Sequence, residues 1–285
     1  MTLVTDNATS KAQFIVEIQE PALKGPETAP TNDKQNLEAQ LNPQTAEIVR
    51  RFASVPRHRP NLREVRRTLH ADKDIYSTFR FPSDMVPIGY TGALGNPDDE
   101  AWLFEMAIET NAKPVFGLEV GTFVGSTAVR LGRALRDNNA GHLLCIDSFT
   151  GAGEMWFLER FQRDLQFENG RPRIYELWME NIMRQELTAN VLPWCLTSLA
   201  AAQCLSFLPW TVDFIFLDSA HLQDETYLEI AAYWKVLKPG GLLAGDDYDS
   251  FPAVKHDVDR FIKFSGAELI RSPSGRLWGL RKQAC

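Results

Sequence analysis

The chain has 285 residues, 30 basic and 37 acidic, giving a formal charge of −7, with 44% hydrophobic and 24% charged residues. That balance is ordinary for a globular protein, and the acidic surplus argues against broad electrostatic binding to nucleic acid or an anionic membrane. The longest charge-free stretch, 187–212, is broken by Pro193 and Pro209 and does not read as a membrane span. The N-terminus lacks a basic region followed by an apolar core, and Cys145, Cys195, Cys204 and Cys285 show no paired spacing. Both features lead to the expectation of a cytoplasmic protein with reduced thiols.

Residues 1–44 are polar and carry Pro21, Pro26 and Pro30; they read as a disordered arm, or as a docking segment around Phe14–Ile18. Residues 45–95 hold a cluster of arginines, among them Arg50, Arg57, Arg59, Arg63, Arg66 and Arg67, interrupted by Pro56 and Pro60. Two short helices fit, forming a helical cap followed by the glycine-containing loop 89–95. Their basic face is either simply solvated or an anion-attracting rim over an active site.

A regular alternation begins at Asn96, whose side chain, with Pro97 next and acids at 98–100, predicts a helix start. Strands are predicted at 115–120, 142–146, 191–196, 212–217 and 241–245, with two short ones at 269–270 and 277–280. Helices are predicted at 126–135, 199–205, 224–237 and 252–264. Several strands are apolar almost throughout, as expected where helices cover both faces of a parallel sheet. The long connection 148–190 mixes aromatics with arginines and reads as part core helix, part cap over a substrate.

The first strand runs into Glu119-Val-Gly121-Thr122-Phe-Val-Gly125-Ser126. Its glycines permit a sharp turn and close approach of a ligand to the main chain, and the next helix aims its N-terminal amides there. The spacing is not GxGxxG, which disfavours a pyrophosphate cradle. The second strand ends in Asp147, placed to hydrogen-bond the hydroxyls of a ribose.

With Phe214-Ile-Phe-Leu-Asp218 and Leu237-Lys-Pro-Gly-Gly241, these elements in order resemble the class I S-adenosylmethionine-dependent methyltransferases over residues 96–282. The resemblance implies an α/β fold: a Rossmann-like, seven-stranded, mostly parallel sheet with helices on both faces and a C-terminal antiparallel hairpin. Leu217-Asp218-Ser-Ala-His221 and Gly245-Asp246-Asp247-Tyr248 narrow the likeness. They look like the metal-dependent O-methyltransferases of macrolide sugars and the related cephalosporin-hydroxylase-like proteins. On that likeness Asp218, Asp246 and Asp247 hold Mg²⁺, oxygen ligands suited to a hard cation. His221 is the general base, and Asp218 also borders the cofactor. Glu119, Gly121, Thr122, Gly125, Ser126, Asp147, Thr197 and Ser198 contact S-adenosylmethionine.

The implied activity is methyl transfer to a hydroxyl of a sugar or small secondary metabolite. Its partner is a small-molecule acceptor, with no nucleic acid or membrane involved and with room for a homo-oligomer. Each residue also has a plainer reading: Asp218 and Asp246 as turn caps, His221 as the cap of the helix near Asp224. Metal-free methylation, a hydroxylase-associated protein and a non-catalytic cofactor-binding subunit stay open as rivals.

Overall fold

The computed structural model describes residues 47, 55–89, 96–219 and 221–284. The expected arm, 1–44, the helix before Pro56 and most of the glycine loop 89–95 lie outside the described residues. One compact unit spans Ile48–Cys285, and the fold lies within it.

The described strands form one seven-stranded sheet in the order β3-β2-β1-β4-β5-β7-β6. They are β1 (Val115–Val120), β2 (Gly141–Asp147), β3 (Val191–Cys195), β4 (Val212–Leu217), β5 (Leu237–Gly245), β6 (Leu269–Arg271) and β7 (Trp278–Arg281). The first five pair in parallel, whereas β7 runs antiparallel to both β5 and β6. Every residue of β1 and β4 is buried, as expected of strands that are apolar apart from Glu119 and Asp213 in a sheet covered on both faces.

The helices are α1 (Leu62–His70), α2 (Pro97–Phe104), α3 (Ser126–Asp137), α4 (Glu159–Leu165), α5 (Ile174–Arg184), α6 (Ser198–Phe207), α7 (Glu225–Val236) and α8 (Pro252–Ser265). Asn96 caps α2 as the sequence predicts, its side chain accepting from the Asp99 amide. Beyond Phe104 the helix widens into a π turn, Glu105–Glu109, and Arg281 donates to the Met106 carbonyl at 3.0 Å.

Strand β5 begins four residues earlier than the sequence suggests. Leu237 already pairs with Val212; the ladder then breaks and resumes where Leu242 meets Phe214. The Lys-Pro-Gly-Gly segment is thus an excursion within the strand. Lys238 reaches the carboxylate of Asp213.

Three of the described arginines do not form a rim over the site. Arg57 donates to the Trp210 carbonyl at 3.3 Å, Arg59 Nε to Asp213 at 2.9 Å and Arg66 to the Thr188 carbonyl at 3.0 Å. All three acceptors stand where β3 or β4 begins, at the edge opposite the strand ends. Asp213 is fully buried, and its carboxylate also accepts from the Phe116 amide. Burying that charge is tolerable only because Arg59 and Lys238 pair with it. These basic residues therefore fasten the N-terminal segment to the sheet and are spent on stability.

Candidate functional site

In a parallel sheet the carboxyl ends of all strands face one edge, and ligands of such folds bind there. Here that edge collects the loop after β1, Asp147 after β2, Thr197 and Ser198 after β3, Asp218 and His221 after β4, and Asp246 and Asp247 after β5.

The loop after β1 turns on two glycines in the left-handed region, Gly121 at φ 85° and Gly125 at φ 89°. A Cβ at Gly121 would lie 2.2 Å from the Asp218 carbonyl oxygen, so the backbones of two neighbouring strand ends touch at this point. Helix α3 opens at Ser126, whose Oγ is buried without a hydrogen-bond partner. Asp147 is half-buried. Its two oxygens accept from the Phe123 amide at 2.8 Å and the Phe149 amide at 2.6 Å, which fix the carboxylate and leave its other lone pairs available. Thr197 is exposed at the start of α6, and the Ser198 carbonyl accepts from Tyr233 Oη at 2.9 Å.

Two expected cofactor side chains face inward instead. Glu119 is 1% exposed and accepts from Thr122 Oγ1 at 3.0 Å and Cys145 Sγ at 3.3 Å. Thr122 is 3% exposed and also accepts from Trp178 Nε1 at 2.9 Å. Glu119 Oε2 and Thr122 Oγ1 are thus engaged beneath the loop.

Burial pushes the Glu119 carboxyl up to about 8; hydrogen bonds from Thr122 and Cys145 oppose the shift, and the charges of Asp218 and Asp147 add to it. The folded protein therefore keeps a proton that the unfolded chain releases above about 4.5. Stability from this group is full below that value and is lost as pH rises to about 8. Thermal unfolding between pH 5 and 8.5 is expected to show the wild-type melting temperature falling by about 5 °C or more relative to Glu119→Gln. Parallel curves for the two proteins would refute the assignment.

Around β4 and β5, one donor atom each from Asp218, His221 and Asp247 lies within 4.8 Å of the others. His221 Nε2 stands 3.1 Å from Asp247 Oδ2, and Nδ1 stands 3.5 Å from Glu154 Oε1 of the long connection. The imidazole stacks on Phe251, centroids 4.3 Å apart and planes 9° from parallel. Burial disfavours a charged His221, but the Asp247 contact and the charges of Asp247, Asp218 and Glu154 prevail and push its pKa up to about 9. Asp218 is pushed up to about 7 by burial and by Asp246 and Asp247. A small cavity of about 10 Å³ adjoins the cluster, lined in part by Asp218, Ser219, His221, Glu229 and Asp247.

Asp246, expected beside Asp218 and Asp247, is not brought into that cluster. Arg276 Nε and Nη2 grip its two oxygens at 2.6 Å each, and the Asp247 amide donates to Oδ1 at 2.6 Å. Asp246 is 4% exposed. Its carboxylate faces the hairpin between β6 and β7, while Asp247, in the left-handed region at φ 66°, turns toward His221. The sequence reading missed Glu154, Phe251 and Arg276, none of which stands in a motif.

Residues 118–248 match the family model described as a methyltransferase domain. Among solved structures, the O-methyltransferase NovP is 19% identical, over 65% of this chain and 78% of that one, with a TM-score of 0.47. TomG from Streptomyces achromogenes, an O-methyltransferase of tomaymycin synthesis in complex with SAM, is 17% identical over 65% and 78%, with a TM-score of 0.44. CalS11, a TDP-rhamnose 3′-O-methyltransferase of calicheamicin biosynthesis, is 13% identical over 85% and 95%, with a TM-score of 0.46. No curated protein matches the chain.

Proposed function

We propose that the protein is an S-adenosylmethionine-dependent methyltransferase that methylates a hydroxyl of a sugar or other small metabolite, a reading supported by the match of residues 118–248 to a methyltransferase-domain model. The observation that carries this is one sheet edge bearing both halves of such a site. The glycine loop and Asp147 stand on β1 and β2, and the Asp218–His221–Asp247 cluster stands on the adjoining β4 and β5.

The cofactor fits the first half. The two positive-φ glycines leave bare backbone facing the ligand, and Ser126 Oγ is a buried hydroxyl with no partner. Asp147 is rigidly held, ready to accept from ribose hydroxyls. S-adenosylmethionine, when bound, supplies a methyl group on a positively charged sulfur. The chain would hold it by main-chain amides of the loop and of α3, and would position it against the acceptor oxygen.

A divalent cation fits the second half by donor chemistry, with Asp218 and Asp247 as its oxygen ligands. Two carboxylates are enough for Mg²⁺, which keeps water and substrate oxygens in its other positions. Bound there it would lower the pKa of the acceptor hydroxyl. Asp246 is left out of that set because Arg276 already occupies it. His221 takes the hydroxyl proton. Burial opposes a charged His221, and the negative neighbours Asp247, Asp218 and Glu154 hold its pKa up; a cation on the two aspartates would offset that effect and favour the free imidazole that a base requires.

A metal-free reading has one observation in its favour. His221 Nε2 and Asp247 Oδ2 already stand 3.1 Å apart, a carboxylate–imidazole contact that needs no cation. Chelation separates the two, since EDTA abolishes turnover only if the cation is required.

The test has two arms. Calorimetry is expected to show binding of S-adenosylhomocysteine, weakened by about 1.5–3 kcal/mol in Asp147→Ala, the scale of a hydrogen bond to a charged group. Incubation of the protein and S-adenosylmethionine with glycosylated and phenolic acceptors is expected to yield a product heavier by one methylene unit. Binding of NAD with none of S-adenosylhomocysteine would sink the reading; a gain of one oxygen would assign a hydroxylase instead.

A further inference from the structure

Helix α5 belongs to the long connection between β2 and β3, and its inner face lies under the cofactor loop. Trp178 is fully buried and donates from Nε1 to Thr122 Oγ1 at 2.9 Å. One turn on, Asn181 is 5% exposed and donates from Nδ2 to the Val124 carbonyl at 2.8 Å and the Ile88 carbonyl at 3.1 Å. A Cβ at Gly125 would stand 2.9 Å from the Trp178 ring, so the indole also abuts the glycine from which α3 departs.

We propose that Trp178 and Asn181 are positioning residues for S-adenosylmethionine, clamping loop 121–125 from beneath so that its amides are aimed before the cofactor arrives. The physical need follows from the loop itself. Two glycines in the left-handed region give it a turn that few residues adopt, and the same freedom lets an unanchored loop wander. Ordering such a loop on binding subtracts from affinity, so anchoring it beforehand adds to affinity. The anchors sit on a helix because α5 is itself fixed by the core through Ile174, Leu177 and Ile182. Asn181 further ties the loop to the segment ending at Ile88, which leads into residues 89–95. Neither residue touches the cofactor in this account; both act through Thr122 and Val124.

The inference rests on loop 121–126 being the cofactor loop, and its test keeps the two claims apart. The probe is S-adenosylhomocysteine, titrated calorimetrically into the full chain. Asn181→Ala and Trp178→Phe are each expected to raise Kd about tenfold. Thr122→Val added to Trp178→Phe should weaken binding further only by what the Thr122–Glu119 bond contributes, because the Trp178–Thr122 bond is already gone. Ile182→Val, on the same helix without a polar contact to the loop, is the stability control. It should lower the melting temperature and leave Kd unchanged.

Kd within about twofold of wild type in both Asn181→Ala and Trp178→Phe would overturn the proposal. So would an equal loss of affinity in Ile182→Val at the same melting temperature, since that would make the effect one of general stability. If Asn181→Ala does not fold, Trp178→Phe carries the comparison. Wild-type protein that binds no S-adenosylhomocysteine would overturn the cofactor reading, and this inference with it.

Discussion

Replacing His221 with alanine is expected to lower kcat by roughly 10²–10⁴, the usual consequence of losing a general base. The loss should fall on kcat while S-adenosylhomocysteine affinity stays within about twofold, because His221 stands with β4 and β5 and the cofactor loop with β1. The aspartates beside it separate by what their oxygens do. Asp218→Asn and Asp247→Asn each replace a hard donor with a neutral amide, and calorimetry with Mg²⁺ and S-adenosylhomocysteine present should show cation binding lost. Asp246→Asn should instead leave cation affinity nearly unchanged and lower the melting temperature, since it strips Arg276 of the carboxylate it grips at 2.6 Å. Equal losses of cation binding in Asp246→Asn and Asp247→Asn would return Asp246 to the ligand set. Full activity of His221→Ala in EDTA would remove both the base and the cation.

Gly121→Ala is expected to destabilise the protein by about 3 kcal/mol or more and to abolish S-adenosylhomocysteine binding. Two causes add. The residue sits at φ 85°, and the new Cβ would lie 2.2 Å from the Asp218 oxygen and 2.6 Å from the Ser219 Cα. Those atoms are backbone of the adjacent strand end and cannot swing aside as a flexible side chain would. Gly240→Ala separates the causes. Its φ is 74°, yet nothing lies within 4 Å of the built Cβ, so it should cost only about 1–2 kcal/mol, the strain of the left-handed conformation. Urea unfolding of both variants measures the difference. Similar losses in the two would mean that conformation, not contact with β4, decides the cost.

What the sequence determined by itself was whatever depends on near neighbours along the chain. Continuous apolar runs set the strands of a doubly covered sheet. Asn96-Pro97 started α2, and the glycines at 121 and 125 marked the turn before α3. Asp218 and His221 are three residues apart, so a single loop brings them together and their juxtaposition was legible. The position of Asp147 at a strand end was legible because an apolar run stops there. Tertiary structure decided what depends on partners far along the chain. Asp246 and Asp247 are adjacent and chemically alike. Arg276, thirty positions on, takes one, and His221 meets the other. Arg59, which could have lined a cleft, was drawn to Asp213, more than 150 positions away, because a fully buried carboxylate needs a charge partner. Glu119 and Thr122 lie inside the motif that pointed to the cofactor, yet their side chains turned to Trp178 and Cys145. Burial of a polar group creates demand for a hydrogen bond, and which group meets it is settled by packing in three dimensions, where local periodicity carries no information.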